Sequence, residues 1–367
     1  MRPDRQRERI TIFTPSDADE NDTNPQNLTV KEIVARLPSD RFHVIMITEG
    51  HPDPRLAARK NTELVPWTGH GNTVRLLRRC LYPPPDIYFF PRCGPLDRAF
   101  FHLRRYLPVR TALVSYIVMM MNESTSSGLI GRSITEADMV CANSEFVGKT
   151  IRDRFGVESL TVHDGVDRRF FCPPSQDSGR WSDPPVVLYA GSFQARKRVE
   201  LVIEQAGRWP NVQFRLAGRG PTEEACRALA EKHNCRNVVF LGHLAQPQLG
   251  EEMRNAGIFL FPSVLEGHPQ VLLQAAACGL PCIAMNLYRP EYVLNEETGF
   301  LAEGDGKLAE KLDLLITNTA LRHAMSQAAA RHSRNFDWDS IAQQWSEIFI
   351  ETVARRREFS HSCLQAS

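Results

Sequence analysis

The chain has 367 residues, 42% hydrophobic and 24% charged, with a formal net charge of +1. That length suits about two domains of roughly 100–200 residues each, the composition is that of a globular protein, and near-neutrality excludes a bulk attraction to nucleic acid. The longest apolar run, Ala112–Met121, is about half of what a bilayer span needs. No apolar core follows the charged opening Met1–Arg9, so neither a spanning helix nor a signal peptide is expected.

In chain order, a strand is predicted at Ile10–Phe13, then a helix over Asn27–Leu37 and strands at His43–Ile47, Asp86–Phe90, Ala112–Tyr116 and Met139–Ala142. A helix over Ser144–Phe155 and a strand at Leu160–His163 follow. Phe171–Pro185 then carries four prolines among Ser, Asp and Gly, which reads as an interdomain linker. Beyond it, strands are predicted at Val186–Ala190, Gln213–Ala217, Val238–Leu241, Ile258–Phe261 and Cys282–Met285. Helices over Glu223–His233 and Val271–Cys278 lie between them, and a long helix covers Trp338–Phe359. Strand–helix alternation implies parallel sheets covered on both faces. The expected fold is α/β: two doubly wound Rossmann-like domains, residues 1–172 and 173–367, facing a central cleft. Helix 338–359 packs back on the first domain. Ligands in such folds bind outside the carboxyl ends of the strands.

Between Arg55 and Arg110, eleven basic residues stand against three acids, with Phe100, Phe101 and Tyr106 interleaved. Two readings stand: a solvated helix face, or a surface for an anionic membrane or anionic acceptor. Nine cysteines lie scattered without a C-x-x-C pair, which argues against a disulfide framework or a zinc site and suits reduced thiols in the cytoplasm. Gly148-Lys-Thr150 lacks the preceding glycine of a phosphate loop and falls within a helical pattern. Asp17, Asp19 and Asp22 could offer oxygen ligands to a cation; an acidic loop is the commoner outcome of such a run.

Four signals in the second half carry chemistry. Val187–Arg198 is a strand ending at Gly191, then a short loop with Arg196 and Lys197 at a helix start. Glycine lets a phosphate approach, and the helix start and lysine supply N–H groups and charge. Phe214–Pro221 is a strand followed by the Gly218-Arg219-Gly220-Pro221 turn. Asn237–His243 is a strand ending at Gly242 and His243. The fourth, Phe261–Pro281, is a strand, Pro-Ser, the acid Glu266, Gly267, and a helix that opens near Pro269 and ends at Gly279. Proline early and glycine late is the polarity a helix favours. Singly, each is weak.

As an ordered set, residues 186–303 resemble the donor-binding half of the family 4 retaining glycosyltransferases of the GT-B fold. Ala142–Val147 and His163–Asp167 resemble that family's helix start and turn ahead of the linker, so the resemblance spans about 137–350. It implies transfer of a sugar from a nucleotide-diphosphate sugar, UDP- or GDP-linked, to an acceptor, with no cofactor or metal required. Lys197 would neutralise the diphosphate, and Glu266 would contact the transferred sugar. Gly267, His268, Pro269, Gln270 and Val271 would present backbone to sugar and phosphate. Gln274 would hold the ribose, and Gly191, Arg196, Gly218, Arg219 and His243 would lie near phosphate or base. This chain departs from the family in four places. Gln274 replaces an acid. Ser192 stands where an arginine is common. Thr23–Asn27 replaces a glycine-rich loop. Ile117–Glu123 carries no histidine where the family often has one. A catalytically silent nucleotide-sugar binder or scaffold of the same fold is the alternative.

Overall fold

The computed structural model describes residues 9–20, 24–67, 74, 76–77, 83–91, 94–103, 111–121, 123, 128–174 and 181–365, the last seven of these by backbone alone. The chain divides into two compact units, Met1–Asp164 with Trp338–Ser367, and Gly165–Asp337.

The first unit is built on a parallel sheet of seven strands: β1 (Ile10–Asp17), β2 (Phe42–Thr48), β3 (Thr62–Pro66), β4 (Ile87–Phe89), β5 (Ala112–Ile117), β6 (Met139–Ala142) and β7 (Leu160–Thr161). Their order across the sheet is β3-β2-β1-β4-β5-β6-β7. The central strands are buried on both faces; every residue of β5 and β6 is buried. Helix Pro25–Arg36 starts where Asn24 accepts a bond from the Gln26 N–H at 3.0 Å and Pro25 fills the first turn, which has no use for its missing donor. Helix Glu145–Phe155 starts on Ser144, whose hydroxyl accepts from the Val147 N–H at 3.2 Å. Gly148 is therefore a mid-helix residue, not part of a phosphate loop.

One face of this sheet is completed from the far end of the chain. Helix Trp338–Gln365 sets Trp338, Ile341, Trp345, Ile348, Phe349 and Val353 into the cluster formed by Ile12, Val30, Phe42 and Phe89. The Trp345 ring is fully buried, edge-on to Phe89 at 4.9 Å and to Tyr116 at 5.0 Å between centroids.

Of the basic segment 55–110, Arg75, Arg78, Arg79, Arg92, Arg104, Arg105 and Arg110 lie outside the described residues, as does Tyr106. Arg55 is engaged within its own unit, bridging Glu32 and Asp53 at 2.7 Å each. Arg59 donates to the Leu37 carbonyl at 2.9 Å. The acids that offset Arg55 sit upstream of the window over which charge was counted. Phe100 and Phe101 are core residues rather than surface aromatics, and Phe100 stacks on Tyr88 at 4.0 Å. Among the described residues no helix is long and apolar enough to cross a membrane.

The second unit holds a parallel sheet of six strands: β8 (Val187–Ala190), β9 (Phe214–Ala217), β10 (Val238–Gly242), β11 (Ile258–Phe261), β12 (Cys282–Met285) and β13 (Gly299–Ala302). They run β10-β9-β8-β11-β12-β13, which is the 3-2-1-4-5-6 order of a doubly wound dinucleotide-binding sheet. The proline-rich stretch after Phe171 lies inside this unit and does not mark its start. Residues ahead of that stretch are already tied to it: the Val166 N–H donates to the Phe336 carbonyl at 3.2 Å, and Arg254 donates to the Phe170 carbonyl at 2.7 Å. The six described cysteines in the chain are free thiols.

Candidate functional site

In a sheet of this order the chain leaves β8 and β11 toward opposite flanks, and a crevice opens where they diverge. Arg196, Lys197 and Glu266, singled out from the sequence, follow these two strands. β8 and β11 pair through Val187 with Ile258 and Leu188 with Phe259. After β8, residues Gly191–Gln194 lead into a tight turn, Ala195–Lys197, and then into helix Val199–Arg208. After β11, Pro262–Pro269 lead into helix Gln270–Ala277. The two loops are stitched together: the Val264 N–H donates to the Arg196 carbonyl at 3.0 Å, and the Ser263 hydroxyl oxygen lies 3.2 Å from the same carbonyl.

This stitching brings three predicted residues onto one atom. Lys197 Nζ is 2.6 Å and Arg196 Nη1 2.8 Å from Oε1 of Glu266. The Ser263 hydroxyl donates to that same oxygen. Arg196 also donates to the Leu265 carbonyl at 2.8 Å and to Gln194 Oε1 at 3.0 Å, so its fork is fixed on three sides. Oε2 of Glu266 takes none of these bonds and is the oxygen left to meet a ligand.

The surroundings are apolar. Lys197 is 8% exposed, and its ammonium lies 4.8 Å from the centre of the Phe261 ring, an attractive cation–π geometry. Burial pulls the Lys197 pKa below the ordinary lysine value, and the Glu266 carboxylate only partly offsets that pull. The neighbouring Tyr189 is fully buried and donates to the Ser192 carbonyl at 3.2 Å. Burial first, and the Glu266 charge second, push its phenol pKa up.

The glycine turns belong to the same edge. Gly218 has φ 140, and a Cβ there would run into the carbonyl oxygen of Gly191. Only glycine allows the loops after β8 and β9 to meet backbone to backbone. The Gly218 N–H in turn donates to the Gly242 carbonyl at 2.7 Å, which brings the end of β10 into the set. Arg219 and His243 are exposed at the ends of β9 and β10. Helix Gln270–Ala277 begins at Pro269, whose own side chain provides no cap. A helix start is a place that suits a phosphate, and Gly267 and Val271 lie at this one. The His268 side chain packs instead into the core, stacked on Tyr292 at 3.6 Å between ring centres. Gln274, one turn into the helix, is half-buried. Ser192, the position where the family often has arginine, offers its carbonyl to Tyr189. Arg196, close by in the sequence, is paired with Glu266.

Sequence reasoning did not single out Ser263 or Gln194. The Pro-Ser step three residues before Glu266 was the available signal for the first. In the other unit, Asp22 lies outside the described residues. Asp19 accepts from Thr48 Oγ1 and from the Glu49 N–H, and Asp17 accepts from the Asp19 N–H at 3.0 Å. Asp17 thus ends β1, and Asp19 is bonded to the end of β2 and the residue after it.

Residues 174–332, within the second unit, match the family model described as Glycosyl transferases group 1. The D-inositol 3-phosphate glycosyltransferase of Salinispora tropica is 27% identical over 255 residues, 61% of this chain and 53% of the relative. That of Mycobacterium tuberculosis strain H37Ra is 29% identical over 227 residues, 56% and 47% of the two chains. The chain thus spans about half the length of these curated relatives. Among solved structures, sucrose-phosphate synthase from Thermosynechococcus elongatus superposes with a TM-score of 0.76 at 18% identity, over 95% of this chain and 100% of that one. Anabaena HepE in complex with UDP and glucose gives 0.74 at 16% identity, over 93% and 100%. The fold is that of the GT-B glycosyltransferases.

Proposed function

We propose, starting from the match to the group 1 model at residues 174–332, that this chain is a retaining glycosyltransferase that draws its sugar from a UDP- or GDP-sugar. The observation that carries this reading is the convergence of Lys197 and Arg196 on one oxygen of Glu266. It occurs at the switch point of the sheet, beside a helix start. A diphosphate there meets two cations and the start of a helix, fixed before it arrives. Charge stabilisation of a leaving group needs such preorganisation.

The reaction then runs as follows. The bond between the anomeric carbon and the diphosphate oxygen breaks, and the electron pair leaves with the diphosphate. Lys197, Arg196 and the N–H groups at 270–271 hold that developing charge. The acceptor hydroxyl forms its new bond on the face the diphosphate leaves, and its proton passes to the departing phosphate oxygen. Glu266 orients the sugar through Oε2, with Oε1 held by Lys197, Arg196 and Ser263. Gln274 takes a ribose hydroxyl as a neutral hydrogen-bonding partner, without the charge assistance a carboxylate would give.

The test uses wild type, Lys197→Ala and Glu266→Gln, each with UDP-glucose and GDP-mannose, measuring nucleotide binding and sugar release or transfer. Wild type is expected to bind one nucleotide series and turn it over, and both variants to lose turnover while remaining folded. Turnover at the wild-type rate in both variants sinks the site assignment. Binding without turnover in wild type makes the chain a nucleotide-sugar binder, the reading that Gln274 favours.

A further inference from the structure

The residue that follows Lys197 is not the one its backbone favours. Arg198 closes the turn Ala195–Lys197, its N–H donating to the Ala195 carbonyl at 3.2 Å. It also opens helix Val199–Arg208, its carbonyl accepting from the Leu201 N–H at 3.1 Å. The chain swings from turn to helix at this residue, which stands in the left-handed region at φ 53, ψ 48. Glycine takes that conformation without a steric cost, and arginine does not. The side chain is committed as well. Its guanidinium grips Asp305, the first residue of helix Asp305–Thr317, with Nη1 2.7 Å from Oδ1 and Nη2 2.5 Å from Oδ2.

Stability alone does not account for this pairing. The left-handed backbone is unfavourable for arginine, and an ion pair whose acid is half-exposed offsets little of that. What a two-pronged pair supplies is fixed geometry. It ties the stretch after β8 to the stretch after β13, so the pivot between turn and helix is held through both backbone and side chain. The two cations of the site depend on that pivot unequally. Arg196 is fixed by its own bonds to Gln194 and to the Leu265 carbonyl. Lys197 adjoins the pivot, and its ammonium must meet both Glu266 Oε1 at 2.6 Å and the face of Phe261.

We propose that Arg198 and Asp305 form a clamp that positions Lys197, setting its ammonium where the donor's diphosphate arrives. The inference rests on the donor-site reading. It makes both members of the pair positioning residues, acting through Lys197 and not through contact with the nucleotide. A charge held in place before the ligand arrives needs no reorganisation when the leaving group departs, and that is what the clamp contributes.

The experiment is calorimetric titration of the full chain with UDP and GDP, together with the melting temperature of each free protein. The proteins are wild type, Arg198→Gly, Asp305→Asn, Lys197→Met, and Arg198→Gly combined with Lys197→Met. Arg198→Gly relieves the strained backbone and loses a partly exposed pair, so it is expected to melt near wild type. Its nucleotide affinity is expected to fall about fivefold or more where Lys197 is present, and not to change in the methionine background. Asp305→Asn separates a clamp from a charge. It leaves Arg198 positive and removes the neighbouring acid, so an arginine acting through its field would bind the anionic nucleotide more tightly. A broken clamp binds it more weakly, which is the expected result. Should Arg198→Gly melt well below wild type, Asp305→Asn, which leaves the backbone at 198 untouched, decides alone. Unchanged affinity in Arg198→Gly, an equal loss in both backgrounds, or unchanged or tighter binding by Asp305→Asn overturns the inference while leaving the donor site standing. No nucleotide binding in wild type overturns the donor-site reading and this inference with it.

Discussion

Replacing Lys197 by methionine separates what that residue does for the fold from what it does for a ligand. The side chain is buried and ion-paired at 2.6 Å, so a simple count of contacts predicts a large loss of stability. Breaking a buried pair by removing one partner costs about 3–5 kcal/mol when the remaining charge is stranded. Glu266 is not stranded here, because Arg196 and Ser263 stay on the same oxygen. Burial also disfavours the Lys197 charge more than Glu266 favours it, which is why its pKa falls. An apolar chain of similar length escapes that penalty, and the expected change in folding stability is within about 1 kcal/mol of zero. Nucleotide binding should behave otherwise. Loss of a charged contact to a diphosphate costs about 1.5–3 kcal/mol, or roughly 10–150-fold in Kd. Urea unfolding of the free proteins and calorimetric titration with UDP and GDP measure the two quantities. A methionine variant destabilised by about 3 kcal/mol, or one that binds nucleotide as tightly as wild type, would refute this reasoning.

Three further outcomes follow from the geometry. With a folded-state pKa below the unfolded one, Lys197 binds fewer protons when folded, so its contribution to stability rises with pH between those two values. Nucleotide affinity should fall over the same window as the ammonium is lost. Lys197→Arg, always charged, should flatten that alkaline loss in a titration series across pH. Gly218→Ala places a Cβ against the Gly191 carbonyl at φ 140 and should cost roughly 2–4 kcal/mol; a melting temperature equal to wild type would contradict the close approach of the two loops. Trp345→Ala empties a fully buried site in the first unit and should cost about 3–5 kcal/mol. The second unit should still bind nucleotide, and loss of nucleotide binding at a temperature where it remains folded by circular dichroism would count against the division into units.

Most of this architecture was legible in the sequence, and the parts that were not share a physical cause. The central strands read clearly because burial on both faces makes them continuous apolar runs, as in Ile258–Phe261 and Cys282–Met285. β3 and β13 stand at sheet edges and escaped notice. Thr62–Pro66 carries a glutamate and a proline and buries only Val65 fully, while Gly299–Ala302 opens on a glycine; both are features of edge strands. Lys197, Glu266 and the glycine turns were found through their order along the chain. That Arg196 and Lys197 share one carboxylate oxygen could not be read, since it depends on how two loops some seventy residues apart are stitched together. The proline-rich stretch misled because composition marks irregular backbone without saying which body that backbone packs against.

The return of helix Trp338–Gln365 to the first sheet reverses the usual order of assembly on the ribosome. Domains generally form as they emerge, the N-terminal one first. Here Trp345 and Phe349 pack on the aromatic face around Phe89 and Tyr116, and they are translated after the whole of Gly165–Asp337. The second unit, one unbroken stretch of chain, can close while the first waits with part of its core open to solvent. Chains truncated at Asp337 and released should therefore resist protease over Gly165–Asp337 and be cut within the first 164 residues. Chains that include the final helix should resist in both.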